Sequence, residues 1–320
     1  MCDSGISLIG TTALCLKAGV EKRHKGRVRR GSVVMSRFIR QSVLVPCFCM
    51  IVLVASFTAQ AESGQYRPEA YQAGKDVAWV PTEQALVEMM LDMAKVTPQD
   101  YVIDLGSGDG RTVIAAAKRG ARALGIEYNP DMIALSKRNA AREGLADRAQ
   151  FIKGDLFESD FSGATVVTMF LLTEINLKLR PKILGLKPGT RILSNTFGMG
   201  EWKADLTGSI DGRDECPNLY CTAYFWIVPA RVEGSWKLPQ GELTLKQNFQ
   251  VVSGTLGSGD DAAAVTNCRL RGDQISFTAG GSEYTGKVRG DTMEGTVRSG
   301  GATAPWSASR MGKLVAAPLR

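Results

Sequence analysis

The stretch from Tyr101 to Gly110 constrains this 320-residue chain more than any other feature. It reads YVIDLGSGDG, a short apolar run that ends in a carboxylate and continues into glycines at 106, 108 and 110. Glycines that end a strand let the backbone approach a ligand closely, and the amides that open the next helix face the same crevice. The dinucleotide pattern G-x-G-x-x-G would require a glycine at Arg111. The stretch therefore predicts a nucleotide-binding turn, and the rest of the chain must show which nucleotide it takes.

Strand-like and helix-like patterns alternate around this turn. Thr82 follows a proline and is predicted to cap a first helix, and Asn129 with Pro130 starts another. The continuous apolar run 164–170 is typical of a strand covered on both faces. The fold class is therefore α/β, with a doubly wound, mostly parallel Rossmann-like sheet. Strands are predicted at 101–105, 121–126, 150–153, 164–170, 191–195 and 220–228, and helices from 82, at 111–118, at 129–142 and at 177–184, with a break or kink at Pro181.

Acidic residues stand at the ends of three successive predicted strands: Asp104, Glu127 and Asp155. Because the carboxyl ends of parallel strands share one edge of a sheet, all three are expected to point into one crevice. Glu127 lies 21 residues after Gly106, which suits hydrogen bonds from a ribose, and Asp155 is placed to bind an exocyclic amine. A carboxylate at Asp104 repels a pyrophosphate but tolerates an ammonium group. The acids favour an amino-acid nucleoside over a dinucleotide.

Three segments, 102–110, 125–127 and 153–156, resemble the S-adenosylmethionine motifs of the class I, seven-strand methyltransferases. The resemblance spans residues 80–228, and its motifs are specific when taken together. More narrowly, the segments at 80–82, 109–111 and 179–182 are similar to the mitochondrial protein-lysine methyltransferases and their prokaryotic relatives. The resemblance implies S-adenosylmethionine as cofactor and a methyl acceptor, with a protein lysine as one option.

By this resemblance Asp104 and the glycines hold the methionine part of the cofactor, Glu127 the ribose hydroxyls, and Asp155 with Leu156 the adenine. Phe170, at the end of the fourth predicted strand, is expected near the methyl-transfer site. No catalytic residue is assigned, although Glu174, Asn176, Asn195 and Trp202 are polar or amphipathic candidates near that edge. The full set of expected cofactor-binding residues is Thr82, Asp104, Gly106, Ser107, Gly108, Gly110, Glu127, Tyr128, Asp155, Leu156 and Phe170.

The single histidine, His24, lies in a predicted leader, so a Ser-His-Asp triad, a Cys-His pair or a histidine metal site is excluded from the mature chain. No C-x-x-C pair exists, and no metal site is predicted. Methyl transfer is compatible with these absences, because the sulfonium is already activated and the protein mainly has to align the nucleophile and exclude water.

The net charge of +7 comes entirely from residues 1–61, which hold nine Lys/Arg and two Asp/Glu, so the other residues are balanced. A nucleic-acid partner is therefore not expected. In the same segment two arginines precede the apolar run 43–57, which ends in Ala59-Gln-Ala61, a small-x-small cleavage pattern. Cleavage after Ala61 of a signal peptide that starts at Met35 predicts a periplasmic or secreted protein without a stable membrane span. An uncleaved membrane anchor and a mitochondrial transit peptide are the competing interpretations.

Beyond Pro229 the pattern changes to apolar alternation with period two, interrupted by glycine turns. This pattern predicts antiparallel strands with one buried face that form a small barrel or sandwich. Two Arg-Gly-Asp triplets, at 271–273 and 289–291, are predicted hairpin turns. Among the cysteines, Cys216 and Cys221 either close a small disulfide loop or remain thiols.

The predicted organisation is a leader at 1–61, a methyltransferase domain at 62–229 and a β-barrel-like domain at 230–320. The function that fits best is an exported, S-adenosylmethionine-dependent methyltransferase of unknown acceptor. The alternative is a non-catalytic binding module of the cell envelope, in which the methyltransferase fold and the barrel recognise a ligand or partner.

Overall fold

The computed structural model describes residues 66–210, 216–217 and 219–312. The predicted leader and its cleavage site lie outside these residues. Within them, an α/β sheet comes first along the chain and a β-barrel follows. The elements of the first part are α1 (Gln84–Met93), β1 (Tyr101–Leu105), α2 (Arg111–Lys118), β2 (Arg122–Glu127), α3 (Pro130–Arg142), β3 (Ala149–Lys153), β4 (Val166–Met169), α4 (Thr173–Ile183), β5 (Arg191–Asn195), β6 (Leu206–Ser209) and β7 (Thr222–Ile227).

The seven strands form one sheet in the order β3-β2-β1-β4-β5-β7-β6. Strands β1 to β5 pair in parallel, and β7 runs antiparallel between β5 and β6. β4 is buried along its whole length, as expected for a strand that is covered on both faces of the sheet. The strand order reverses between β1 and β4, and the crevice at such a switch point is where open α/β sheets bind ligands. The predicted α/β class and the parallel sheet are confirmed.

Two local predictions differ from the structure, and one strand is not predicted. α1 begins at Gln84 with Glu83 at its N-cap, so Thr82 is not the cap that the sequence predicts. The Thr82 hydroxyl instead accepts a hydrogen bond from Asn195, and its carbonyl accepts one from Arg111, so sheet contacts determine its conformation. α4 begins at Thr173 and continues through Pro181, because the proline lies in the last turn. The short edge strand β6 is not predicted, since its exposed residues show no apolar alternation.

Eight antiparallel strands close into a barrel in the order β10-β11-β12-β13-β14-β15-β8-β9. Trp236 and Met293 are fully buried inside it, and Phe277, Tyr284 and Trp306 form an aromatic cluster with centroid distances of 4.7 to 5.9 Å. These side chains fill the interior, as in other small barrels. The strands are β8 (Gly234–Leu238), β9 (Gly241–Asn248), β10 (Val251–Leu256), β11 (Ala263–Arg271), β12 (Gln274–Ala279), β13 (Ser282–Arg289), β14 (Thr292–Ser299) and β15 (Ala302–Arg310).

For the chain beyond Pro229 the sequence predicts either a small barrel or a sandwich, and the structure has the barrel. Both Arg-Gly-Asp triplets lie at hairpin turns, between β11 and β12 and between β13 and β14. Mid-strand glycines permit the bends that closure requires: a Cβ at Gly295 would lie 1.9 Å from the Thr285 carbonyl oxygen of the neighbouring strand.

The barrel packs against the sheet through the turn between β9 and β10. Phe249 in this turn stacks on Trp202 with centroids 5.8 Å apart and belongs to the same buried cluster as the strands of the sheet. The buried Gln247 amide bonds to Ala230, Val232 and Phe249 backbone atoms and so satisfies polar groups at the junction. Sheet and barrel therefore share apolar core at this contact.

Cys216 and Cys221 are joined in a disulfide, so of the two alternatives left by the sequence the structure has the paired one. The disulfide closes a short loop just before β7, at the carboxyl edge of the sheet. Of the helices described, none combines the length and the apolar character needed to cross a membrane.

Candidate functional site

The turn after β1 is built from glycines in a conformation that other residues rarely adopt. Gly106, Gly108 and Gly110 have φ angles of +78°, +54° and +83°. A Cβ at Gly108 would lie 2.5 Å from the indole nitrogen of Trp79, and one at Gly110 would lie 2.7 Å from the ring of Phe151. The turn therefore needs glycine for its backbone angles and also for the space between neighbouring elements.

Glu127, at the end of β2, holds this turn through backbone amides. Its carboxylate accepts hydrogen bonds of 2.9 Å each from the N–H groups of Gly108, Tyr128 and Asn129. A carboxylate has room for further donors beyond three N–H groups. Glu127 thus fixes the turn and still has acceptor capacity toward the crevice.

Asp104 is buried below the turn, with 6% of its surface exposed. Burial raises the pKa of its carboxyl to about 7, and the nearby Glu127 and Asp109 carboxylates act in the same direction. The buried Thr168 hydroxyl donates a 2.6 Å hydrogen bond to it, which partly opposes this shift. A cationic group in the crevice would favour the ionised form of Asp104.

Asp155, after β3, is engaged on both carboxylate oxygens. One oxygen accepts a 2.9 Å hydrogen bond from the Phe157 N–H, and the other pairs with the Lys75 ammonium. The hydrogen bond from Lys75, and next the one from Phe157, hold the pKa of Asp155 below its usual value. The Lys75 ammonium also lies 4.8 Å from the centroid of the Tyr128 ring.

Lys75 belongs to a loop that covers the crevice, which we call the cover loop, residues 71–79. Its two ends are tied together, because Tyr71 N–H donates to the Trp79 carbonyl at 2.7 Å and Trp79 N–H donates to the Gln72 carbonyl at 2.9 Å. The polar segment 62–75, with two tyrosines, a proline and two glycines, predicts an irregular arm that lies over the domain, and this arm overlaps the first part of the cover loop. The sequence does not predict that residues 72–81 line the same cavity as the three acids. In the sequence, only the aromatic residues that stand alone in this otherwise polar segment indicate that it contacts the cavity.

The structure brings ten of the eleven expected cofactor-binding residues to one cavity at the switch point. Gly110 is not among the lining residues: it is the N-cap of α2 and packs behind the turn, and its contact with a cofactor stays a prediction. The sequence misses Trp79, Asn129 and Met132, which lie on the cover loop and at the start of α3. The ten lining residues are Thr82, Asp104, Gly106, Ser107, Gly108, Glu127, Tyr128, Asp155, Leu156 and Phe170.

The four further candidates near the end of β4 are placed differently. Glu174 is exposed in the first turn of α4. Asn176, Asn195 and Trp202 are fully or almost fully buried. The two asparagines bond to the Ser194–Gly198 segment and to Thr82, and Trp202 packs on aromatic rings. These three residues therefore position the loops of the site, and none of them lines the cavity of the three acids.

The cavity suits an amino-acid nucleoside. Carboxylates stand at the ends of three neighbouring strands, and the turn between them has no side chains that would block a ligand. The Ser107 hydroxyl is buried on the side of the turn that faces Gly125, and it has no hydrogen-bond partner among the described residues. This sheet order, with the glycine turn after β1 and acids at the ends of β1, β2 and β3, defines a class I S-adenosylmethionine-dependent methyltransferase.

Comparisons with known proteins agree with this class. The family model of the ANTKMT methyltransferase domain matches residues 104–206. The chain is 42% identical to the protein-lysine N-methyltransferase of Saccharolobus islandicus over 155 residues, which are 48% of this chain and 94% of that protein. It is 34% identical to a human lysine N-methyltransferase named for a subunit of ATP synthase over 165 residues, 47% of this chain and 69% of that protein. The chain therefore belongs to this family of S-adenosylmethionine-dependent methyltransferases.

A solved structure is also similar. The RNA methyltransferase from Salinibacter ruber in complex with S-adenosyl-L-homocysteine is 45% identical, covers 48% of this chain and 96% of its own, and has a TM-score of 0.45.

Proposed function

We propose that this chain transfers the methyl group of S-adenosylmethionine to the side-chain amine of a lysine in a protein. The cavity that collects Asp104, Glu127 and Asp155 at the switch point supports the cofactor half of this proposal. The acceptor half is supported by two relatives whose names describe lysine N-methyltransferases, one of proteins in general and one of ATP synthase.

In this proposal each acid binds one part of the cofactor, as the family resemblance implies, and the position of all three acids in one cavity supports it. Asp104 and the glycine turn face the methionine part, where an ammonium and a sulfonium favour a carboxylate. Glu127 accepts from the ribose hydroxyls with its remaining lone pairs. Asp155 and Leu156 bind the adenine, and Tyr128 covers it from the exposed side.

S-adenosylmethionine, when bound, would supply an activated methyl carbon whose bond to sulfur breaks as the amine nitrogen of the acceptor bonds to it. The protein's part is to align the amine, exclude water and accept no new covalent bond. The cover loop excludes water above the nucleoside, and the apolar end of β4 with Phe170 does so at the methyl end. The amine loses one proton in the reaction, and that proton passes to solvent.

Calorimetric titration with S-adenosylmethionine tests the site. Glu127→Ala and Asp155→Ala each remove a charged acceptor, and we expect each to weaken binding by about 10- to 100-fold. Asp147→Ala, an exposed acid outside the cavity, is the matched control and should bind normally. Unchanged affinity in both cavity variants, with intact folding, would show that the cofactor lies elsewhere. Transfer of labelled methyl groups to lysine in protein extracts, and not to lipid or nucleic acid, tests the acceptor.

We further propose that the chain acts outside the cytoplasm, after cleavage behind Ala61, as a methyltransferase domain at 62–229 joined to a barrel domain at 230–320. The disulfide between Cys216 and Cys221 supports this, because disulfides persist in oxidising compartments. N-terminal sequencing of the protein from cells should begin at Glu62. A chain that retains Met35 or Met1 would contradict the cleavage.

A further inference from the structure

Three aromatic rings meet at the carboxyl edge of the sheet, on the side away from Glu127 and Asp155. Phe170 follows β4, Phe197 follows β5 and Tyr220 precedes β7. Their ring centroids are 5.2 to 6.1 Å apart. Phe170 also lines the cavity, so the three rings, which we call the ring cluster, adjoin the place where the methyl end of the cofactor is proposed to lie.

The ring cluster is not part of the packed interior. All three side chains are half-buried, and the hydrophobic core clusters of the described residues include none of them. Large aromatic residues are usually buried for the stability that they contribute. Rings that remain partly exposed beside a cavity can contact a ligand that enters it.

The backbone that carries Phe197 is strained and firmly held. Thr196 has a φ angle of +60°, which is unfavourable for a β-branched residue, and the Phe197 N–H bonds back to the Asn195 carbonyl at 2.7 Å. The Phe197 carbonyl accepts hydrogen bonds from the buried Ser194 hydroxyl at 2.7 Å and the buried Asn176 amide at 3.0 Å. Because strain of this kind persists only where the surroundings impose it, the position of Phe197 indicates a function.

We infer that the ring cluster is the acceptor subsite and that it receives an alkyl ammonium at the end of an aliphatic chain, as in a lysine side chain. This inference rests on the proposed function and deepens it. The faces of aromatic rings attract cations, and their apolar surface covers the methylene groups behind the charge. The buried carboxyl of Asp104 in the adjoining cavity adds to the attraction for a cation. An anionic acceptor is disfavoured by the same charges.

Ligand-detected NMR on the protein loaded with S-adenosylhomocysteine tests the subsite. The probe is Nα-acetyl-lysine methylamide, and its uncharged counterpart is Nα-acetyl-norleucine methylamide. Phe197→Leu and Tyr220→Leu keep apolar bulk but remove a ring, and each should weaken lysine-probe binding by about two- to fivefold while norleucine-probe binding stays unchanged. Tyr220→Phe keeps the ring and should bind the lysine probe as the unmodified protein does.

The cofactor affinity of each variant separates this inference from the proposed function. Phe197 lies outside the described lining of the cavity, so Phe197→Leu should bind S-adenosylmethionine normally. Normal cofactor binding together with unchanged lysine-probe binding in both leucine variants would overturn the ring cluster as acceptor subsite and leave the proposed function intact. If adenosine or uridine binds the loaded protein and loses affinity in these variants, the rings stack nucleobases and the amine inference is wrong. Failure of the unmodified protein to bind the cofactor would refute the proposed function itself.

Discussion

At the scale of single residues, the buried Asp104 carboxyl lowers the stability of the fold at neutral pH, although it suits the proposed binding of a cationic group. The carboxyl is almost fully buried beside two other acids, and its one hydrogen bond of the described set comes from Thr168. Burial raises its pKa from the usual value of 3.8 to about 7. A group whose pKa is higher in the folded state than in the unfolded state makes folding less favourable once the pH exceeds the unfolded value. The stability of the fold therefore does not explain a carboxyl at this position, whereas the proposed interaction with a cationic group of the cofactor does.

Asp104→Asn tests this conflict. Above pH 7 the folded protein buries a charged Asp104, so the asparagine variant should be more stable by a few kcal/mol. As the pH falls from about 7 to 4 the folded protein takes up the proton, and the difference in the free energy of unfolding between the two proteins should disappear. Denaturant unfolding of the apoproteins at pH 8, 6 and 4.5 measures this. A difference that does not change with pH would mean that Asp104 titrates normally.

The same substitution should weaken S-adenosylmethionine binding by more than tenfold at pH 8, because the neutral amide no longer attracts the ammonium and sulfonium groups. For the unmodified protein, affinity should decrease as the pH falls below about 7. Calorimetry at matched ionic strength provides both comparisons, and equal affinities of the two proteins at pH 8 would contradict the assigned role.

At the scale of elements, the cover loop is held down by an ion pair. Lys75 bonds to Asp155 and lies over Tyr128, and both partners are expected to contact the adenine. Lys75→Met keeps the length of the side chain and removes its charge. We expect S-adenosylmethionine to dissociate about two- to fivefold faster from this variant, with little change in the association rate. Stopped-flow measurements with Lys118→Met as a surface control give both rates, and slower dissociation would mean that Lys75 competes with the adenine for Asp155.

The disulfide loop before β7 is the second element with a testable role. Cys216 and Cys221 enclose Tyr220, so their bond limits where this ring of the cluster can lie. The double variant Cys216→Ser/Cys221→Ser should bind the lysine probe more weakly and S-adenosylmethionine equally well. Cys268→Ser, which removes the free cysteine of the barrel, is the control. If the double variant binds the lysine probe like the unmodified protein, the disulfide does not position Tyr220.

The elements also show how much could be predicted. The bounds of β1, α2 and β5 and the start of α3 follow from the sequence because a glycine turn, an Asn-Pro cap and continuous apolar runs determine them locally. The meeting of Asp104, Glu127 and Asp155 follows because parallel strands end at a common edge. The cover loop and the ring cluster do not follow, because contacts between distant segments place Lys75 on Asp155 and Phe197 beside Tyr220. Gly110 illustrates the limit, since a motif gives its backbone angle but not the side of the turn on which it packs.

At the scale of the whole molecule, sheet and barrel are joined by stacked aromatic side chains that have polar groups beside them. Phe249 is 3% exposed, stacks on Trp202 and lies 5.5 Å from the Arg180 guanidinium. Beside it, the Gln250 amide donates to the Lys203 carbonyl at 2.8 Å. Trp202 in turn accepts a hydrogen bond at its carbonyl from Trp226 of β7. Because the segment from Asn195 to Trp202 also carries Phe197, the barrel supports one wall of the proposed acceptor subsite.

Phe249→Ala tests this coupling between barrel and site. Removing a buried phenylalanine lowers the free energy of unfolding by about 3 to 5 kcal/mol. Because Phe249 lies in the core that sheet and barrel share, its removal should also weaken the coupling between the unfolding of these two parts. Calorimetry should show one transition for the unmodified protein and an earlier, divided one for the variant. Lysine-probe binding should weaken, and S-adenosylmethionine binding should persist, because the cavity acids lie at the ends of β1, β2 and β3, whereas Trp202 contacts β7 near the other edge of the sheet. Val251→Ala, an exposed position two residues away, should change neither. Two transitions already present in the unmodified protein would show that the barrel folds independently and does not support the acceptor subsite.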